Sequence, residues 1–235
     1  MLGLGNILTG GGPLAEIVPH EDITGCVLAL YADKGVTTTG SAVTSWADQA
    51  GAFDSAVTAE PAAVNNRPTY NTTHITFDGS DDKLDLQKDG SAFEITLDTS
   101  SNGWTVVAIL TMDDWDGSQQ VIVGDRDSSN SFIRHRPSAN EFQVKAAGEN
   151  NTIDLDEALT DGQYYCIMVT CPADASVITL YVDGVAQADT SQSFANNTKD
   201  FILEAIGHRA GTDHIDGNFK HILAYNKILI DDERA

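Results

Sequence analysis

The chain has 235 residues, enough for one large β domain or two small domains, and carries 35 acidic and 13 basic side chains, a formal charge of -22. A surface this negative repels nucleic acid and anionic membranes, so we expect neither as a partner, and no run approaches the ~20 apolar residues of a membrane span. The three cysteines, Cys26, Cys166 and Cys171, form a poor disulfide framework, and we interpret the last two as buried thiols.

The first 19 residues are rich in glycine and lack apolar periodicity. They have neither the basic start nor the unbroken apolar core of a signal peptide, so we expect assembly without export. We interpret residues 1–19 either as a flexible end or as an arm that orders on a partner, and residues 20–235 as the folded domain. The apolar side chains expected to dock this arm are Leu2, Leu4, Ile7 and Leu8.

Short apolar runs alternate with turn residues from Ile23 onward. Residues 103–112 are apolar on both faces, which predicts a central strand covered on both sides, and residues 163–171 predict a second strand of the same kind. Residues 176–182 are rich in β-branched and aromatic side chains and run into Asp183-Gly184, a strong hairpin signal. Six Asp-Gly pairs are interpreted as turns, at 78–79, 89–90, 116–117, 161–162, 183–184 and 216–217. Without a long amphipathic helix, they favour one all-β domain built as an antiparallel sandwich.

Three blocks carry a family resemblance and occur in the family's order. They are FDGSDDKLDL at 77–86, QYYCIMVTCPADASVITLYVDGVAQA at 163–188, and IGHRAGTDHIDGNFKHILAYNKILIDDE at 206–233. These blocks resemble a strand–turn–strand unit, the paired central strands and the closing segment of the concanavalin A-like lectin/glucanase superfamily, which includes laminin G-like domains. VTSWADQAG at 43–51 and NRPT at 66–69 are similar to elements that often precede the first block. The resemblance implies an antiparallel jelly-roll β-sandwich over most of the chain.

Some relatives in this superfamily are glycoside hydrolases, whose acids resemble Glu-x-Asp-x-x-Glu on one strand, where alternate residues share a face. The segment most similar to this pattern is TIDLDE at 152–157. Asp154 and Asp156 would share a face, but Thr152 stands where the first Glu is needed. We find no catalytic residue and predict that the chain is not an enzyme.

Calcium is the one cofactor that we expect, because it binds several carboxylate, amide and carbonyl oxygens on acidic loops. Laminin G-like and pentraxin-like relatives commonly hold it on rim loops, so the resemblance implies the same here. The candidate ligands form three groups: Asp78, Asp81 and Asp82; Asp125 and Asp127; Asp213 and Asp216. Each group is otherwise a set of solvated Asx turns.

Trp115 is the candidate platform for a sugar ring, with Asp114 and Asp116 beside it as hydrogen-bonding groups, on a predicted loop. The alternative is that Trp115 packs against the sandwich, as we expect for Trp46 and Trp104.

Arg134 and Arg136 flank His135 and form the one dense basic spot of the sequence. They either dock an acidic patch of a neighbouring subunit or are ordinary surface charges.

The leading hypothesis is a structural or adhesive protein of a phage virion: a capsid decoration, a fibre or a tail-associated jelly roll. Such a protein assembles in the host cytoplasm and binds other virion proteins or its own copies, with a trimer as one arrangement. The alternative is a lectin-like module, calcium-dependent and extracellular, that binds cell-surface glycans. A third hypothesis is an unusual glycosidase.

Overall fold

The computed structural model describes residues 23–98, 102–115, 117–174, 177–189, 192–194, 200–230 and 233. These residues form twenty strands: β1 Cys26–Tyr31, β2 Val36–Thr39, β3 Ala42–Ala47, β4 Val57–Glu60, β5 Thr69–Tyr70, β6 Ile75–Asp78, β7 Leu84–Lys88, β8 Ser91–Ala92, β9 Ile95–Leu97, β10 Trp104–Met112, β11 Gln120–Gly124, β12 Phe132–Arg136, β13 Glu141–Ala146, β14 Glu149–Asp154, β15 Tyr165–Cys171, β16 Thr179–Val182, β17 Val185–Ala186, β18 Phe201–Leu203, β19 Ala205–Ile206 and β20 Asp216–Tyr225. Two short 3-10 turns lie at Val64–Asn66 and Pro137–Ala139. Among the described residues, no helix has the length and hydrophobicity of a transmembrane segment.

The strands pair antiparallel and build a two-layered β-sandwich, which confirms the predicted fold class. The first layer runs β1–β20–β10–β15–β16–β17, with β6 beside the first half of β20. The second layer runs β2–β3–β4–β7–β19–β11–β12–β13–β14. β5 connects the layers by pairing with both β3 and β6, β8 extends β7, and β9 pairs with β18.

Every residue of β10 is buried, as predicted for a strand covered on both sides. Alternate side chains such as Val106 and Leu110 point into the core between the layers. The opposite face presents Val107, which packs in a second apolar cluster with Ile23 and Leu229. Strand β10 is therefore buried on both faces, because residues before β1 and after β20 help to cover its outer face.

Two of the Asp-Gly pairs form hairpin turns, whereas another pair lies in a strand. Asp89-Gly90 and Asp183-Gly184 form two-residue hairpin turns with positive φ at both positions, 53° and 72° in the first and 50° and 76° in the second, as predicted. Asp216-Gly217 instead begins β20, so the turn predicted there is wrong. A Cβ on Gly217 would lie 2.1 Å from the carbonyl oxygen of Thr111, so glycine is required by the close approach of β10.

The three cysteines are free thiols. Burial raises the pKa of the Cys26 and Cys171 thiols to about 12. Both side chains are therefore protonated at neutral pH and poor nucleophiles, as expected of structural thiols.

Candidate functional site

An open cavity of about 550 Å³ lies between the β14–β15 loop and the β16–β17 hairpin. We call it the rim cavity, and it is lined by Asp156, Glu157, Ala158, Leu159, Thr160, Gln163, Tyr165, Val182, Asp183, Val185 and Gln187. Its volume falls in the range that holds a small ligand, and it combines apolar walls with a few polar groups, as binding sites for such ligands do.

Hydrogen bonds from backbone N–H groups to side-chain oxygens hold the two sides of the rim cavity together. The backbone N–H of Asp156 donates to the side-chain oxygen of Gln187 at 2.9 Å. In return, the backbone N–H of Ala188 donates to the Asp156 carboxylate at 3.1 Å. The backbone N–H of Thr160 donates to the Tyr165 hydroxyl oxygen at 2.9 Å. The loop is therefore anchored to the hairpin and to β15, and the cavity is preformed.

The walls of the rim cavity offer two kinds of surface. Val185 is 63% exposed, and Leu159 and Val182, which line the same cavity, are half-buried. Glu157 and Gln163 are exposed and have no side-chain hydrogen-bond partner among the described residues. The cavity can therefore pack against C–H groups on one side and exchange hydrogen bonds with hydroxyl groups on the other.

Asp183, in the turn of the β16–β17 hairpin, lines the rim cavity and also forms a hydrogen bond to β15. Its carboxylate accepts a hydrogen bond from the backbone N–H of Cys166 at 2.8 Å, and burial raises the pKa of this carboxyl above its usual value. The turn residue that the sequence marked as a hairpin signal thus also lines a site.

Three carboxylates meet at a corner of the same edge of the sandwich, and we call Asp78, Asp81 and Asp82 the acidic corner. Their ligand atoms lie within 4.8 Å of one another. The Asp78 carboxylate accepts from the backbone N–H of Ser80 at 2.9 Å, and Asp82 accepts from that of Asp78 at 3.1 Å. Burial raises the pKa of Asp82 to about 6, and the charges of Asp78 and Asp81 add to the shift. A bound cation would relieve this repulsion, so the donor set fits calcium.

A chain of contacts connects the acidic corner with the rim cavity. Asp216 pairs with Asp78 across β20 and β6, and its carbonyl oxygen accepts from the backbone N–H of Asp113 at 3.0 Å. Burial, and then the charge of Asp113, raises the pKa of Asp216. The backbone N–H of Trp115 donates to the Asp161 carboxylate, at 2.7 Å, within the loop that forms the cavity. Both features therefore lie on the edge where β10 ends.

The other predicted calcium groups are not brought together. Asp125 accepts from the backbone N–H groups of Asp127 and Ser128 and from the Ser128 hydroxyl, and so closes an Asx turn. Asp127 is exposed and pairs with Arg126. Asp213 accepts from Arg134 at 2.7 Å and from Arg209 at 2.8 Å. The predicted role of Asp213 as a calcium ligand is corrected, because two guanidinium groups already neutralise its carboxylate.

The basic spot is also neutralised within the chain. Arg134 pairs with Asp213 and donates to Gln143, and Arg136 forms an ion pair with Glu141. His135, between them, is only 2% exposed. The hypothesis that Arg134 and Arg136 dock an acidic neighbour therefore loses its basis, because their charges already have partners.

The prediction of Trp115 as an exposed sugar platform is wrong, because its side chain is 1% exposed and belongs to the core. Its ring packs against His135, Phe142 and Tyr165. The alternative, packing against the sandwich, is correct, as is the core position of Trp46 and Trp104. Asp114 is exposed on the adjoining loop. Asp116 lies outside the described residues, as do Leu2, Leu4, Ile7 and Leu8 of the predicted arm.

The sequence did not predict the rim cavity, although two of its lining residues lie in a segment that the sequence analysis considered. Asp156 and Glu157 belong to the TIDLDE segment that resembled a degenerate hydrolase motif, and both line the cavity. Asp154 is exposed at the end of β14. Nothing in the sequence marked Tyr165, Gln163 or Val185, which come together only through the pairing of β15 with β16 and the loop before it.

Together, the two antiparallel layers define a β-sandwich domain with an open cavity at one edge. The family model of the concanavalin A-like lectin/glucanases superfamily matches residues 78–233, and the chain belongs to this superfamily. A comparison with curated protein sequences found no significant match.

Solved structures of similar fold include two kinds of protein. Trypanosoma rangeli sialidase is 17% identical with a TM-score of 0.60, over 98% of this chain and 35% of the sialidase. Its complex with sialic acid is 15% identical with a TM-score of 0.57, at the same coverage. The ligand-binding domain of botulinum neurotoxin serotype D, in complex with N-acetylneuraminic acid, is 12% identical with a TM-score of 0.56, over 89% of this chain and 49% of that one. The chain thus spans about a third of the sialidase and about half of the toxin fragment.

These matches correct the prediction from the sequence that the chain is not an enzyme. That prediction rested on the missing Glu-x-Asp-x-x-Glu pattern, and sialidases occur among the proteins of similar fold. The absence of one strand motif excludes one arrangement of acids and not catalysis in general. At these identities the likeness shows the fold alone, so sialidase activity is a property of those proteins.

Proposed function

We propose that this chain is a carbohydrate-binding domain that takes its ligand in the rim cavity. The observation that carries the proposal is that one preformed cavity is lined both by the exposed Val185 and by Glu157 and Gln163, whose side chains have no hydrogen-bond partner among the described residues. A sugar ring needs this combination, because its C–H groups pack on apolar surface while its hydroxyls donate and accept. Membership of a lectin/glucanase superfamily supports the proposal, as does the toxin domain of similar fold that binds N-acetylneuraminic acid.

Binding to a glycan array, followed by calorimetry on the best ligand, tests this function. Val185→Ser removes the apolar wall and Gln163→Ala removes the free amide, and each should weaken binding about tenfold, or about 1.4 kcal/mol. Val64→Ser is the matched control, because Val64 is 69% exposed and lies outside the cavity. Glycan binding that survives both cavity variants unchanged would place the site elsewhere.

We also propose that the acidic corner binds a calcium ion in the functional state of the domain. The specific support is the meeting of three carboxylates within 4.8 Å, one of which, Asp82, has its pKa raised first by burial and then by the charges of its neighbours. Calcium would order the loop after β6 and, through Asp216 and Asp113, steady the edge that carries the rim cavity.

Attachment to a virion stays a prediction. Its support is the Gly-rich segment of residues 1–19, whose docking residues lie outside the described part of the chain. Co-purification of the full chain with virus particles, and its loss on deletion of residues 1–19, would support it. Incorporation that is unchanged by the deletion would contradict a docking arm.

A further inference from the structure

The charged side chains among the described residues of the rim cavity are all negative. Three carboxylates line it, those of Asp156, Glu157 and Asp183, and none of the described residues that line it is Lys, Arg or His. The remaining polar groups are neutral amides and hydroxyls, among them Gln163 and Thr160. No described residue on the wall therefore carries a positive charge that could form an ion pair with an anionic ligand.

We propose that the glycan taken by the rim cavity is uncharged, so that sialic acids, uronic acids and sulfated sugars are rejected. This inference rests on the proposed function and names its ligand class. It differs from what the similar structures hold, since the toxin domain and one sialidase structure contain a sialic acid.

The hydrogen-bonding capacity of carboxylates explains why they bind the hydroxyl groups of an uncharged sugar. A carboxylate only accepts, and a sugar hydroxyl can always turn its proton toward it, so each acid offers a strong, charge-assisted hydrogen bond. Glu157 is exposed and has no partner among the described residues, so it is free to accept in this way. Asp156 accepts from the backbone N–H of Ala188 through both oxygens and keeps unshared lone pairs for a ligand.

The same carboxylates oppose a ligand carboxylate by like-charge repulsion. The overall charge of -22 strengthens this repulsion at a distance and reduces the local concentration of anions. Rejection by unpaired like charges is an effective route to specificity, because it costs the unwanted ligand more than it costs the favoured one.

Matched pairs of oligosaccharides that differ only by a terminal sialic acid or by one uronic acid test the inference. Calorimetry on the full chain at low salt should show at least tenfold weaker binding for the acidic member of each pair. The gap should narrow at high salt, where charges on the open cavity are screened.

The double variant Glu157→Gln, Asp183→Asn separates the effect of charge from that of hydrogen bonding, because it removes two of the three carboxylates on the wall. Both amides keep an accepting oxygen, and asparagine tolerates the positive φ of 50° at position 183, so folding should be retained. The gap between neutral and acidic ligands should fall below threefold, whereas Glu94→Gln, an exposed change outside the cavity, should leave it unchanged.

Two results would overturn the inference and they are distinguishable. If the acidic member binds as tightly as its neutral counterpart, and Val185→Ser weakens both, the cavity binds glycans but the ligand class is wrong. If no glycan binds, the proposed function fails and takes this inference with it.

Discussion

The indole ring of Trp115 stands nearly perpendicular to the ring of Tyr165, with centroids 5.8 Å apart and an angle of 85° between the planes. Trp115 is buried, whereas Tyr165 lines the rim cavity. The tryptophan that resembled a sugar platform therefore supports the cavity wall from behind, through an edge-to-face contact between aromatic rings.

Trp115→Ala should destabilise the fold by about 3–5 kcal/mol, as removal of a large aromatic side chain from a packed core does. Trp115→Phe should cost less, because it retains part of the ring. Urea unfolding at neutral pH measures both. A Trp115→Ala protein with the stability of the wild type but without glycan binding would show instead that Trp115 touches the ligand.

His135 predicts a specific dependence of stability on pH. Burial lowers its pKa to about 4, and neither ring nitrogen has a hydrogen-bond partner. Above pH 6.5 both the folded and the unfolded states hold neutral histidine, so its contribution is constant. As the pH falls from 6.5 to 4, only the unfolded state binds the proton, so the free energy of unfolding decreases.

His135→Phe removes this proton while keeping a ring among Trp115 and Phe142. Between pH 7.5 and pH 4, the wild type should lose about 2–3 kcal/mol more stability than the variant does. Because the comparison is between two proteins, the carboxyl groups that titrate in both cancel. Parallel stability curves for the two proteins would contradict the prediction.

Calcium should raise the unfolding temperature of the wild type, and EDTA should reverse the effect. At a calcium concentration 100 times the dissociation constant, the gain would be about 2.7 kcal/mol. Asp81→Asn and Asp82→Asn should abolish it, whereas Asp127→Asn, an exposed acid outside the acidic corner, should not.

The calcium effect should also weaken as the pH falls through about 6, because Asp82 then takes up a proton and stops being an anionic ligand. Differential scanning calorimetry at several pH values measures this. A wild type that is indifferent to calcium at pH 8 would refute the metal site.

The buried pair of His208 and Asp85 holds the loop after β19 on the second layer. Nδ1 of His208 accepts from the backbone N–H of Gly211 at 3.2 Å, so Nε2 carries the hydrogen and donates to Asp85 at 2.8 Å. Asp85→Ala leaves His208 buried without this partner and should cost about 2–4 kcal/mol in urea unfolding.

Asp85→Asn keeps an accepting oxygen and should retain more stability than Asp85→Ala. The exposed pair of Lys88 and Asp54 is the control, since Asp54→Ala should unfold at the urea concentration of the wild type. An equal loss of unfolding free energy in Asp85→Ala and Asp54→Ala would show that the buried pair stabilises the fold no more than the exposed pair does.

Local signals in the sequence predicted individual strands and turns, whereas the jelly-roll architecture was implied by the family resemblance of the three sequence blocks. The apolar runs of β10 and β15, and the Asp-Gly turns at 89–90 and 183–184, depend on residues that are neighbours along the chain, and their structures agree with the predictions. Asp216-Gly217 has the same two letters but lies in a strand, because there the close approach of Thr111, more than a hundred residues away, requires glycine.

The sequence by itself therefore determined the all-β class and marked the acidic corner, whose three residues lie within the five positions 78–82, as a candidate site. Only the tertiary structure decided the rest of the site. It buried Trp115, paired Arg134 with Asp213, and placed Glu157 and Val185 on the wall of the same cavity. The physical reason is that burial and charge pairing depend on contacts between distant segments, which appear only when the two layers close around one core.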